Sequence, residues 1–193
     1  YWHVLPGQVA SMISRLDHPP EHHRPKRIGM ITYSFYETDN RVTRYAEALA
    51  ERGDQVDVIA LRRSFSLPAV ETLIGVHVSR IQYRVKKLEQ TTSAYLWPIL
   101  RFLIASSCRL TKRHLNRPYD VLHIHNMPDF LVFAAWYPKL TRVKIILDIH
   151  DIVPELYGSK FGVGRRQGTM TLLKWMERVS AAFANHVIVS NHL

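Results

Sequence analysis

Cysteine is nearly absent from this chain: Cys108 stands alone among 193 residues. An internal disulfide is therefore impossible, and a thiolate metal cage, which needs several cysteines, is excluded. Neither flank of Cys108 supplies a histidine partner, so its thiol is expected to be packed rather than nucleophilic. A reducing, cytoplasmic setting fits this usage. Glycine is missing where a dinucleotide fold requires it. The first strand-to-helix turn, Tyr33 to Val42, contains none, which argues against close approach of the backbone to a pyrophosphate and so against a nicotinamide or flavin enzyme. No Gly-Lys-Ser/Thr occurs, which excludes a P-loop. No apolar run is long enough to span a bilayer, and Tyr1 to Leu16 lacks the apolar core of a signal peptide. Fixed-period repeats and low-complexity tracts are absent too.

Acidic residues are also in short supply. Sixteen Asp and Glu face 26 Lys and Arg, a formal charge of +10 with a pI near 9.9. Such a surface attracts anions: nucleic acid, an acidic bilayer or phosphate-bearing ligands. The excess concentrates in His22 to Arg27, Arg84 to Lys87 and Arg109 to Arg117. Nucleic acid is not expected, because exposed strands with aromatic platforms among basic residues are not evident.

What the chain does have is a regular alternation of strand and helix signals. Residues 1–26, with Pro19-Pro20 and a histidine cluster, read as a mobile leader, and the folded domain is expected over 27–193. Strands are predicted at Ile28 to Ser34, Gln55 to Leu61, Val76 to Tyr83, Val121 to His125, Val143 to Ile149 and His186 to Ser190. Helices are predicted at Asn40 to Arg52, about Ser93 to Leu115, Asp129 to Leu140 and about Thr169 to Asn185. Six strands joined by crossovers imply an α/β fold: a doubly wound, mostly parallel Rossmann-like sheet with helices on both faces. The chain has no initiator Met and stops just after a strand, so it is expected to be a fragment of a longer protein. Ile152 to Gln167, with Gly158, Gly162 and Gly164, is expected to be a loop able to act as a lid.

The chemistry gathers at strand ends, where open α/β sheets bind ligands. Asp148-Ile149-His150-Asp151-Ile152-Val153-Pro154-Glu155 follows one apolar run, and Val121 to His125-Asn126 forms a second strand with a polar end. His150, flanked by Asp148 and Asp151, is the candidate general base or hydroxyl-binding group; a plain strand-end cap is the alternative. Glu155 is a candidate hydroxyl acceptor. His123 and His125, two apart, can share one face of the sheet. Together with Asp148, His150 and Asp151 they offer metal-type ligands, yet no spacing fixes a tetrahedral site, and packed, hydrogen-bonded histidines are the simpler reading. Asp39 or Asn40 caps a helix whose Arg41 and Arg44 can either lie on a solvated face or hold an anionic group in the cleft. Tyr95 to Ile104 is apolar almost all round. A buried crossover helix with Pro98 in its first turn is expected, against an interfacial helix whose Trp97 and Phe102 dip into lipid.

Four segments carry a resemblance: Asp39-Asn40-Arg41-Val42 with the helix ending at Gly53, Tyr119 to Asn126, Asp148 to Glu155, and Ala184 to Ser190. In order and spacing they resemble the N-terminal domain of family 4 retaining glycosyltransferases, which have the two-domain GT-B fold. The resemblance implies acceptor binding by this half, with His150 in the cleft near the reacting sugar. Asp39, Asn40, Arg41, Arg44, His125, Asn126, Asp148, Asp151 and Glu155 are then the expected binding residues. It implies a nucleoside diphosphate sugar as donor substrate, no metal and no resident cofactor. The acceptor is expected to be a glycan or lipid-linked glycan of the cell envelope, with peripheral contact to an anionic membrane. The family's donor site lies in a C-terminal domain, so this portion alone is expected to be inactive. A sugar-nucleotide epimerase half or a basic binding module remain the alternatives.

Overall fold

A computed structural model of the chain describes residues 24–84, 92–125, 128–149 and 167–189. The expected leader up to residue 23, the candidate lid from 152 to 166, and Asn126, His150, Asp151 and Glu155 lie outside the described residues.

Seven strands form one sheet in the order β3-β4-β2-β1-β5-β6-β7. They are β1 (Arg27–Phe35), β2 (Gln55–Arg62), β3 (Val70–Leu73), β4 (Val76–Tyr83), β5 (Val121–His125), β6 (Lys144–Ile149) and β7 (His186–Val189). Every pairing is parallel except β3 with β4. The sequence reading of a mostly parallel α/β sheet is thus correct, but six strands become seven. The extra strand arises from a two-residue hairpin: Leu73 pairs with Val76 around Ile74-Gly75, both at positive φ (46° and 77°). That backbone normally selects Asn-Gly, and isoleucine in the first position hides the turn.

Helix α1 (Asn40–Glu51) starts at the Asp39 cap, whose side chain accepts the Val42 N–H, and stops before Gly53 at φ 94°. It lays Val42 and Ala46 on Met30, Val58 and Val78, forming one apolar layer. Helix α2 (Thr92–Asn116) covers the other face with Phe102 and Leu110 against Ile31, Ile59, Leu122 and Ile124. The helix expected over Asp129 to Leu140 is instead a 3-10 stretch, Asp129–Ala135, followed by the short α3 (Trp136–Leu140). Helix α4 (Gln167–Phe183) brings Phe183 to the same layer.

Two further expectations fail on α2. Cys108 is exposed, not packed. The apolar segment before it is not buried all round either. Ile99 and Phe102 face the core while Trp97, Leu100 and Ile104 are exposed, at 69%, 41% and 62%. Phe102 therefore cannot reach a membrane. No helix of the described residues is long and apolar enough to cross a membrane.

At the amino edge of the sheet, Asp57 is held by Arg27 at 2.7 Å and the Tyr119 hydroxyl at 2.8 Å, with Arg113 3.6 Å away. Burial, then the Asp57 charge, pushes the Tyr119 phenol up, so it stays a hydrogen donor. This network closes the edge opposite the strand ends that carry the candidate chemistry.

Candidate functional site

The register explains why the candidate residues meet. Met30 of β1 pairs with His123 of β5, which pairs with Ile146 of β6, and His125 pairs with Asp148. Paired residues in parallel strands point to one side, so His123, His125 and Asp148 share the face covered by α1. The two imidazoles lie 4.1 Å apart, as their spacing predicts.

Asp148 is fully buried. One carboxylate oxygen accepts a 2.7 Å hydrogen bond from Arg41, and the other lies 3.4 Å from His125 Nδ1 and 3.7 Å from His123 Nε2. A lone carboxylate here would be costly to desolvate; the guanidinium and the two rings compensate it. Arg41 can reach because Asp39 fixes where α1 begins. The Asp39 carboxylate accepts the Val42 N–H at 3.2 Å and the Ser34 hydroxyl at 2.6 Å, tying the helix start to the end of β1. One turn after Arg41, Tyr45 places its ring 5.2 Å from His123 and 6.0 Å from His125.

The binding candidates therefore separate. Arg41, His125 and Asp148 come together, and Asp39 positions them from below as a helix cap. Asn40 and Arg44 are exposed on α1, and Arg44 makes no hydrogen bond or ion pair with the described residues. Asn126, His150, Asp151 and Glu155 follow β5 and β6 in the sequence and lie outside the described residues.

Two residues escaped the sequence reading. Tyr45 covers both histidines, and its position four residues after Arg41, on the same helix face, was the available signal. Arg80 of β4, with its side chain wholly buried, joins Glu37 (2.7 Å) to Glu71 (2.9 Å) and the Pro68 carbonyl (3.0 Å). It anchors the 3-10 turn Tyr36–Thr38 that leads into α1. In that turn the Tyr36 phenol is pushed up to about 12, by burial first and then by Glu47 and Glu37, so it is no base near neutrality.

His123, His125 and Asp148 each offer one ligand atom, all within 4.8 Å of one another. A tetrahedral zinc ion bound at ~2.0–2.1 Å separates its ligands by about 3.4 Å, so the spacing suits a small cation. The Arg41 guanidinium on the same carboxylate already offsets its charge, and the same distances suit imidazoles turned toward an anion.

A family model described as a glycosyl transferase 4-like domain matches residues 38–192, spanning the α1 start and both polar strand ends. The chain belongs to that family. No curated protein sequence matches this chain. Solved structures do resemble it. Sucrose-phosphate synthase from Thermosynechococcus elongatus superposes with a TM-score of 0.61 at 16% identity, covering 86% of this chain and 42% of that one. UGT73P12 of Glycyrrhiza uralensis, complexed with glycyrrhetinic acid 3-O-monoglucuronide, gives 0.52 at 11% identity over 87% of this chain and 44% of the other. LpCGTa in complex with UDP gives 0.52 at 12% identity, with 88% and 46% covered. What is shared at these identities is the fold, that of GT-B glycosyltransferases. The glycosyl transferase 4-like domain thus spans less than half the length of each of these three chains.

Proposed function

We propose that this domain is the acceptor half of a retaining glycosyltransferase. In this reading it moves a sugar from a nucleoside diphosphate sugar to an acceptor hydroxyl in glycan synthesis at the cell envelope. The observation that carries the reading is the Arg41–Asp148–His125 cluster at the carboxyl ends of β5 and β6, within the residues that the family model matches. Asp148 is buried and turned toward Arg41, so its role is positioning, as is that of Asp39. His125, equally buried beneath Tyr45, shares that positioning role, and substrate contact falls to Asn126 after β5 and to His150, Asp151 and Glu155 after β6. Exposed Asn40 and Arg44 stand at the mouth.

His150, two residues beyond the fixed Asp148, hydrogen-bonds the reacting sugar in this scheme. The chemistry asks little covalent work of the protein. The acceptor oxygen must be held against the anomeric carbon, and the departing diphosphate must be stabilised. The second task belongs to a donor-binding half, and a bound UDP in LpCGTa supports a nucleoside diphosphate leaving group. No resident metal or cofactor is needed.

The test is transfer by a longer protein that includes the donor-binding half, assayed with a panel of nucleotide sugars. His150→Ala is expected to lower kcat by at least about 100-fold, the scale of one positioned acid–base or hydrogen-bonding group, with an unchanged thermal melt. Unchanged turnover removes His150 from the mechanism, and an isomerised sugar nucleotide in place of a glycoside replaces transfer with epimerisation.

A further inference from the structure

Helices α2 and α3 leave an apolar groove on the side of α2 that faces away from the sheet. The Trp136 indole donates to the Ser107 hydroxyl at 3.1 Å, and His114 Nε2 meets the Thr141 hydroxyl at 2.8 Å. Pinned at these two points, α3 runs beside the second half of α2. One rim of the groove carries Ile104, Cys108 and Leu115, exposed on one face of α2 at steps of four and seven residues. The other rim carries Trp136 and Leu140, one turn apart and 52% and 71% exposed. An apolar helix face of this kind normally packs against another element.

The leader holds a matching stripe in its sequence. Val9, Met12, Ile13 and Leu16 recur at i, i+3, i+4 and i+7, with Ser11 and Ser14 on the opposite side of that period. Pro6 suits the first turn of such a helix, and Pro19-Pro20 stops it. A helix of residues 6–16 measures about 16 Å, the same as the rise from Ile104 to Leu115. The leader also joins the fold at the right place. The Arg27 guanidinium donates to the Arg113 carbonyl at 3.2 Å and to the Arg117 carbonyl, so β1 begins beside the Leu115 end of the groove. Residues 17–26 between them can reach up to roughly 33 Å, about three helix diameters. Charge disfavours a second copy as the occupant. Arg109 and Lys112 are exposed on α2 and each chain carries +10, whereas residues 6–16 hold a single charge, Arg15.

We propose that residues 6–16 dock as a helix in the α2–α3 groove, with the Val9, Met12 and Leu16 stripe against both rims. The segment that reads in sequence as a leader is then the cover of this groove. The contact is distinct from the transfer reading and is measured without turnover.

The test uses Cys108, the only thiol of the chain, which stands on the rim. Its modification by dithionitrobenzoate is followed in the full 193-residue chain without denaturant. Val9→Ser with Met12→Ser is expected to speed the reaction at least about tenfold, which requires the docked form to be favoured by only about 1.4 kcal/mol. Leu140→Ser, on the opposite rim, is expected to speed it as well, while Ser11→Ala with Ser14→Ala leaves the rate within about twofold of the parent. Thermal melts show that the sheet persists in each variant. Equal rates in the parent and the Val9, Met12 variant overturn the proposal. So does protection that the Ser11, Ser14 variant abolishes, or protection that grows with protein concentration, which assigns the groove to a second copy.

Discussion

Asp148 carries the most consequence of any described side chain, because Arg41 of α1 and both His123 and His125 of β5 converge on its charge. Asp148→Asn removes the ion pair but leaves Arg41, which is partly exposed and can turn to water. The loss is therefore expected at about 1–3 kcal/mol, below the cost of stranding a wholly buried charge. Urea unfolding of the 193-residue chain measures it, and Arg41→Met combined with Asp148→Asn should cost less than the sum of the two singles. His114 gives a second prediction. Its Nδ1 accepts the Tyr119 N–H at 3.0 Å while Nε2 faces the Thr141 hydroxyl at 2.8 Å, an arrangement that uses the neutral ring. Burial, then the Arg27 charge, lowers its pKa. The unfolded chain therefore takes up the proton first, so this stabilisation is complete above about pH 6.5 and is lost as pH falls through the folded value. His114→Phe should lose about 1–3 kcal/mol at pH 7.5 and show a shallower fall in stability below pH 6.5 than the parent. These roles were only partly legible. The spacing of His123 and His125 gave their common face, but nothing in the sequence says that Asp148 points at Arg41, 107 residues away. That contact is set by register between strands distant in the chain.

Among the elements, those with strong periodicity or long apolar runs were readable to within a residue or two: α1, β2, β4 and β5. The misses share a cause. Strand β3 is four residues long with alternate residues exposed, and its turn has the wrong amino acid for its backbone. Ile74 sits at φ 46° with 74% exposure, where a β-branched side chain crowds the backbone and gains nothing by burial. Ile74→Asn should therefore stabilise by about 1 kcal/mol, seen as a higher urea midpoint with an unchanged slope. The stretch Asp129 to Leu140 carries an apolar pattern that suits either helix type, and only the turn-tightening after Pro128 separates them. Helix α2 was misread for a different reason. Its apolar residues nearly encircle it, which in sequence looks like burial on all sides, whereas one side faces solvent.

For the whole molecule, the fold and family were legible because a βαβ alternation admits few topologies and the strand-end motifs fall in a fixed order. What the site binds was not legible, since ligands are chosen by the side chains around a cleft and not by the fold. The sheet's strand order has a bearing on how the polypeptide is made. Strand β1 lies near the centre, between β2 and β5, yet the Arg27–Asp120 contact at its β5 side joins residues 93 apart in the chain. At a synthesis rate of roughly 5–20 residues per second, the β2 flank can zip up as soon as it leaves the ribosome, while the other flank waits about 5–20 s. During that interval a bare, Ile- and Met-rich strand edge is open to any passing chain, so the half-finished sheet is the stage of synthesis most exposed to mispairing.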